Sequence, residues 1–228
     1  MTTERSKFLA YTQLLRLPTT VTAMADPLAG WFAIGGGVPG WELPVVVVAS
    51  ACFYTAGAVL NDCFDYDLDC VEHGERPLPS GAVRLKTAWV LGVALMIGGL
   101  VLAGFAGPVP FGVGGFLGAM ILFYNAWARR FPTLRPLVLG ACRFAGFLLG
   151  MRCLPLWLAW MPALVGLYAT SIAFLSMRKP ITSRLLLGII VVDAAVVLLS
   201  PFGDWVGALL VLSLLVPAFA LGKVFATA

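Results

Sequence analysis

Long apolar stretches separated by short polar connections dominate the chain. A helix needs about 20 predominantly apolar residues to cross the hydrocarbon core of a bilayer. Eight stretches offer that length, at about 18–36, 43–62, 86–106, 110–128, 136–154, 157–176, 184–200 and 205–223. Gly and Pro recur inside them, which membrane helices tolerate because neighbouring groups satisfy the backbone. The pattern predicts an all-α membrane protein, a bundle of about eight transmembrane helices forming one unit over residues 1–228. The longest polar segment runs only from Asn61 to Lys86.

Charge sorts the connections into two kinds. Arg5, Lys7 and Arg16 precede the first span, and Arg76, Arg84 and Lys86 lie between the second and third. Arg129, Arg130 and Arg135 lie between the fourth and fifth, and Arg178, Lys179 and Arg184 between the sixth and seventh. Lys223 ends the eighth, and the alternate turns near 37–42, 107–110 and 200–204 carry no Lys or Arg. Only Arg152 falls toward that other side. Positively charged connections stay cytoplasmic, so eight spans place both termini there, whereas seven would scramble the alternation. The expected location is multi-pass in the bacterial inner membrane. The N-terminus lacks a compact apolar region followed by small residues, so the first span is expected to direct insertion itself.

Composition agrees. Of 228 residues, 61% are hydrophobic and 11% charged, against about 25% charged in soluble domains. No nucleic-acid partner is expected. The five cysteines, at 52, 63, 70, 142 and 153, form no CxxC pair and read as core or surface thiols. Cys63, Cys70 and His73 lack the fourth ligand a zinc site normally has.

The acidic residues are concentrated. Six of the eleven lie between Asp62 and Glu75, where an apolar span ends. On a continuous helix Asp62, Asp65 and Asp69 share one face, with Asn61 beside them and Asp67 directed elsewhere. Three carboxylates in a poorly screened environment repel one another and call for a cation. Hard oxygen ligands suit Mg²⁺, which commonly bridges carboxylates to phosphates. An acidic, solvated helix end would look the same. The basic residues that follow, Arg76, Arg84 and Lys86, shift the reading toward a polyphosphate site.

N-D-x-x-D-x-x-x-D at Asn61–Asp69, followed by R-P-L-x-S-G at Arg76–Gly81, resembles the first aspartate motif and adjoining loop of the UbiA superfamily of intramembrane prenyltransferases. L-L-R-L-P at Leu14–Pro18 is similar to that family's entry to its first helix. The resemblance covers the first 130 residues in sequence and the rest by topology. It implies a helical bundle in which Mg²⁺ holds an isoprenyl diphosphate between two aspartate-rich motifs. The allylic C–O bond ionises and an acceptor attacks the cation. Carried onto this chain, Asp62, Asp65 and Asp69 are the expected catalytic and metal-binding residues. Asn61, Arg76, Tyr124, Arg129 and Arg143 are the expected substrate-binding residues. Tyr124 opens Y-N-A-W-A-R-R, roughly similar to the family's Tyr-x-x-x-Lys-Arg segment with Ala128 at the Lys position. For Arg129 and Arg130 a plain positive-inside anchor is an equal alternative.

The family's second acidic motif is expected near 175–190, where this chain reads S-M-R-K-P-I-T-S-R and has no carboxylate between Glu75 and Asp193. Either Arg178, Lys179 and Arg184 replace a second metal by direct charge pairing, or ordinary catalysis is lost and a binding half-site remains. L-G-A-C-R-F-A-G-F-L-L-G at Leu139–Gly150 and the V-V-D-A-A-V segment resemble a shorter, EboC-type UbiA-like branch.

Three charges fall inside expected spans, and each should face the bundle interior. Arg143 and Asp193 are a candidate pair, with separate placements the alternative. Asp26 either lines the central cavity or serves backbone groups freed by Pro27. Two functional readings follow. The first is Mg²⁺-dependent transfer of a prenyl group from an isoprenyl diphosphate to an apolar, aromatic acceptor, in contact with membrane lipid. The second is a non-catalytic protein that binds or moves a lipid-like or aromatic metabolite.

Overall fold

The computed structural model describes residues 2–151, 153–177 and 183–226. Its helices are α1 (Thr2–Leu14), α2 (Leu17–Ala33), α3 (Glu42–Phe64), α4 (Tyr66–Glu72), α5 (Leu85–Ala106) and α6 (Pro108–Ala126). They continue as α7 (Leu134–Gly150), α8 (Trp160–Ser176), α9 (Ser183–Leu199), α10 (Trp205–Ser213) and α11 (Leu215–Ala226). Each of the eight expected stretches is helical over most of its described length. Among the described residues, five segments are long and apolar enough to cross a membrane: Glu42–Phe64, Leu85–Ala106, Pro108–Ala126, Leu156–Ser176 and Trp205–Gly222. The shorter helices α2, α7 and α9 have 17 residues each, about 25 Å of rise. They are also the helices that carry Asp26, Arg143 and Asp193.

Two helices expected to be continuous are broken. The last span divides at Leu214, because Pro217 cannot donate to the carbonyl four residues earlier and is tolerated only in a first turn. The second span stops at Phe64 and restarts at Tyr66, with Asp65 (φ −91°, ψ 1°) between them. The Phe64 carbonyl is taken instead by the Arg129 guanidinium at 3.0 Å. Asp62 and Asp69 therefore lie on two successive helices with Asp65 between them, while the N–H groups of Asp65 and Asp69 still bond the carbonyls four residues back.

Helix α2 sits at the centre, packed against α3, α7, α9, α10 and α11. Its Pro27 has no N–H for the Ala23 carbonyl, and Ser50 Oγ of α3 donates to that carbonyl at 2.7 Å. The group that proline frees is thus an acceptor, and a serine rather than Asp26 serves it. Peripheral α5 shows how the periodicity is used. Ala88, Gly92, Gly99 and Ala103 are buried, and small residues let helix backbones approach closely. Val90, Val93, Ile97, Val101 and Phe105 point outward, apolar where lipid is the solvent.

Candidate functional site

A cavity of about 270 Å³ opens among α2, α3, α6 and α7. Along α3 it runs from Ser50 to Asn61, about 16 Å of helix. Its walls are apolar and aromatic, with Phe53, Tyr54, Leu117, Ile121 and Tyr124 among them. Arg16, Asn61 and Arg135 line it near the ends of their helices, on the side where α3 gives way to the acidic segment. Asp26 and Arg143, both mid-helix, line its deep end. Three of the expected site residues, Asn61, Tyr124 and Arg143, therefore line one space.

The carboxylates stand just outside it, each held by a different arginine. Asp62 accepts from Arg16 Nη2 at 2.8 Å. Asp65 accepts from Arg129 and, at 3.1 Å, from the Asn61 side chain. Asp69 accepts from Arg76 Nη1 through both oxygens, at 2.8 and 2.7 Å. Asp62 and Asp69 are buried, Asp65 half-buried and Asp67 exposed. The cavity is joined to this acidic segment through Arg16 and Asn61, which belong to both. Arg84 and Lys86 are exposed and make no ion pair among the described residues.

Arg129 is more than an anchor. It bonds Asp65 and the Phe64 carbonyl, and its guanidinium lies 6.0 Å from the Phe64 ring centre. Partial burial, with Arg130 and Arg135 close by, lowers its proton affinity below that of an ordinary arginine.

No group of three Asp, Glu, His or Cys side chains stands close enough to hold a metal unaided among the described residues. The donor chemistry nevertheless fits Mg²⁺. The three carboxylates and the Asn61 carboxamide offer only hard oxygen ligands. Arginines now stand where a cation is needed, and diphosphate is the other natural partner of an arginine fork.

Of the two placements open for Arg143 and Asp193, the deep end has the one without a direct ion pair between them. Arg143 instead donates to Asp26 Oδ2 at 3.1 Å, to the Thr22 carbonyl at 2.9 Å and to Thr22 Oγ1 at 2.7 Å. Its guanidinium also lies over the Tyr54 ring, 5.4 Å from the centre. Asp193, fully buried on α9, adjoins Asp26 and lies within electrostatic reach of Arg143. Asp204 caps α10 by accepting from the Gly207 N–H at 2.8 Å. Arg178 and Lys179 lie outside the described residues, as does the side chain of Arg184.

Arg16, Arg135 and Asn125 were not expected at the site. Arg16 and Arg135 read as topology anchors, and the Leu14–Pro18 segment was the one available signal for Arg16. Asn125 donates to the Gly57 carbonyl at 3.2 Å and lines the cavity; only its burial marks it.

Comparison with known proteins gives the family. The model of the UbiA prenyltransferase family matches residues 18–227. The chain is 27% identical over 139 residues to a digeranylgeranylglyceryl phosphate synthase of Methanothrix thermoacetophila, covering 60% of this chain and 52% of that protein. It is 33% identical over 130 residues to a 4-hydroxybenzoate octaprenyltransferase of Albidiferax ferrireducens, covering 56% and 41%. The chain thus spans about half the length of these curated relatives. Among solved structures, a UbiA homologue of Archaeoglobus fulgidus bound to GPP and Mg²⁺ shares the fold with a TM-score of 0.61 at 16% identity, over 94% of this chain and 87% of that one. A digeranylgeranylglyceryl phosphate synthase structure matches at 0.64 and 19%, over 95% and 88%. With an all-helical bundle built around a cavity beside N-D-x-x-D-x-x-x-D, the chain belongs to the UbiA prenyltransferase family.

Proposed function

We propose that this protein transfers a prenyl group from an isoprenyl diphosphate to an apolar acceptor inside the membrane, in a Mg²⁺-dependent reaction. The observation that carries this reading is one aromatic-lined cavity tied at one end to three arginine–carboxylate pairs. The headgroup of an isoprenyl diphosphate needs the charged end and its tail needs the apolar walls. The named relatives, a digeranylgeranylglyceryl phosphate synthase and a 4-hydroxybenzoate octaprenyltransferase, support it.

Asp62, Asp65 and Asp69, with Asn61, would hold Mg²⁺, which when bound neutralises charge on the departing diphosphate. Arg16, Arg76 and Arg129 are placed to exchange a carboxylate partner for a diphosphate oxygen. The allylic C–O bond breaks with its electron pair leaving on the diphosphate. An electron pair of the acceptor forms the new bond, and the acceptor loses a proton. Phe53, Tyr54 and Tyr124 turn aromatic surface toward the cavity, where ring faces stabilise a cation and exclude water.

A second reading, binding or transport without transfer, is favoured by the missing second acidic motif between Glu75 and Asp193. One experiment separates the two. Purified protein is given radiolabelled farnesyl or geranylgeranyl diphosphate with Mg²⁺ or with EDTA, and both binding and diphosphate release are followed. Mg²⁺-dependent binding with release supports transfer. Binding without release in the presence of candidate acceptors supports the second reading, and no binding overturns both.

A further inference from the structure

The cavity ends blindly inside the bundle, and its depth has a chemical meaning. Four helices wall it in a closed ring, α2 against α3 and α7, and α6 against α3 and α7. Contacts to backbone tighten the seams. Ser50 Oγ donates to the Ala23 carbonyl between α3 and α2, and the Asn125 side chain donates to the Gly57 carbonyl between α6 and α3. Gly30 meets the Phe147 carbonyl between α2 and α7. The floor is shut as well. Arg143 is bonded to Asp26 and Thr22 and lies over the Tyr54 ring. A hydrocarbon has nothing to offer two buried charges in exchange for parting them. Phe53, 1% exposed, fills the remaining corner with its ring packed on Gly99 and Gly114. Ala29, Val46, Ala49 and Phe147 belong with it to one continuous buried core, and such cores hold few voids.

We infer that this closed end restricts the donor to short tails, of up to three isoprene units. The inference rests on the proposed prenyl transfer, which puts the diphosphate at the charged end and the tail in the cavity. From Asn61 to Ser50 the cavity follows eleven residues of α3, about 16 Å. Each isoprene unit adds four carbon–carbon bonds in line, about 5 Å when extended. Three units fill that length. A fourth finds no lateral exit through the ring among the described residues. It must force packed side chains apart or fold back toward the diphosphate, and packed interiors resist such insertion. A cavity open to lipid along one side would set no limit, because surplus tail would lie among the acyl chains.

The test varies tail length at a constant headgroup. Purified full-length protein with Mg²⁺ in detergent is given radiolabelled geranyl, farnesyl or geranylgeranyl diphosphate, and binding is compared at equal micelle-phase concentration. Geranyl and farnesyl diphosphate should bind within about threefold of each other, since micelle and cavity are similarly apolar. Geranylgeranyl diphosphate should bind about tenfold more weakly or worse, the scale of one overpacked group. Phe53→Ala empties the corner of the floor and should bring that difference below about threefold, because an apolar cavity takes up an apolar guest. Wild-type protein that binds the geranylgeranyl and farnesyl compounds equally overturns the inference and leaves the reaction standing. Binding of none of the three overturns both. An unchanged difference in folded Phe53→Ala also overturns the inference, and if that variant does not fold the wild-type comparison decides alone.

Discussion

Gly150 of α7 leaves no room for a side chain against Pro27 of α2: a methyl group there would stand 1.9 Å from the Pro27 carbonyl oxygen. Gly30 of α2 meets the Phe147 carbonyl in the same way, at 2.1 Å. The two backbones that carry Asp26 and Arg143 touch through glycine. Gly150→Ala should therefore cost about 1–3 kcal/mol or more, since backbone cannot step aside as a side chain can. Gly98→Ala and Gly115→Ala, where an added methyl meets nothing within 4 Å, should be neutral. Thermal unfolding in one detergent, all three variants side by side, checks this.

The Asp26–Arg143 pair should respond asymmetrically to mutation. Arg143→Met leaves Asp26 buried without its cation, and breaking a buried pair costs about 3–5 kcal/mol. Adding Asp26→Leu should return part of that loss, but not all, because Asp193 stays buried beside them. Folded yield and unfolding temperature of the two single variants and the double variant measure the coupling.

Within the acidic segment the effect should follow placement rather than charge. Asp62→Ala, Asp65→Ala and Asp69→Ala should each lower Mg²⁺-dependent turnover on the order of 100-fold or more, the scale of losing one charge-stabilising group. Asp67→Ala, at an exposed position, should change it less than threefold. Rates measured over a Mg²⁺ titration distinguish weaker metal binding from slower chemistry.

Two exposed thiols test the orientation. Cys70 lies in α4 on the side read as cytoplasmic, and Cys153 follows α7 at its opposite end. A membrane-impermeant maleimide should label Cys70 in inside-out vesicles and Cys153 in right-side-out ones. Labelling of both from one side would refute the eight-span arrangement.

The spans were legible because lipid exposure demands apolar residues over a fixed length, and that demand is written locally. The pairings were not. Arg16 meets Asp62 and Arg143 meets Asp26 across 46 and 117 residues of chain, and helical spacing rules reach only one turn. For Arg143 and Asp193 the sequence left a pair and separate placements both open. Depth follows from distance to a helix end, whereas which helices adjoin follows from glycines whose close contacts show only in three dimensions. The break at Asp65 was hidden for a similar reason. No Gly or Pro marks it, and the Phe64 carbonyl is claimed by Arg129 from another part of the chain.

Asp62, Asp65 and Asp69 hold arginines from three separate stretches: the turn between α1 and α2, the stretch after α6, and the loop after α4. The acidic segment is thus a clasp as well as a binding site. Trimming one carboxylate unfastens a segment in addition to removing an oxygen, so the matching arginine variant is needed to separate the two losses. The clasp also sets where the chain can grow. An insertion beside Arg16, Arg76 or Arg129 would pull a latch out of register. The turns at 34–41 and 200–204, on the far face, hold no part of the clasp.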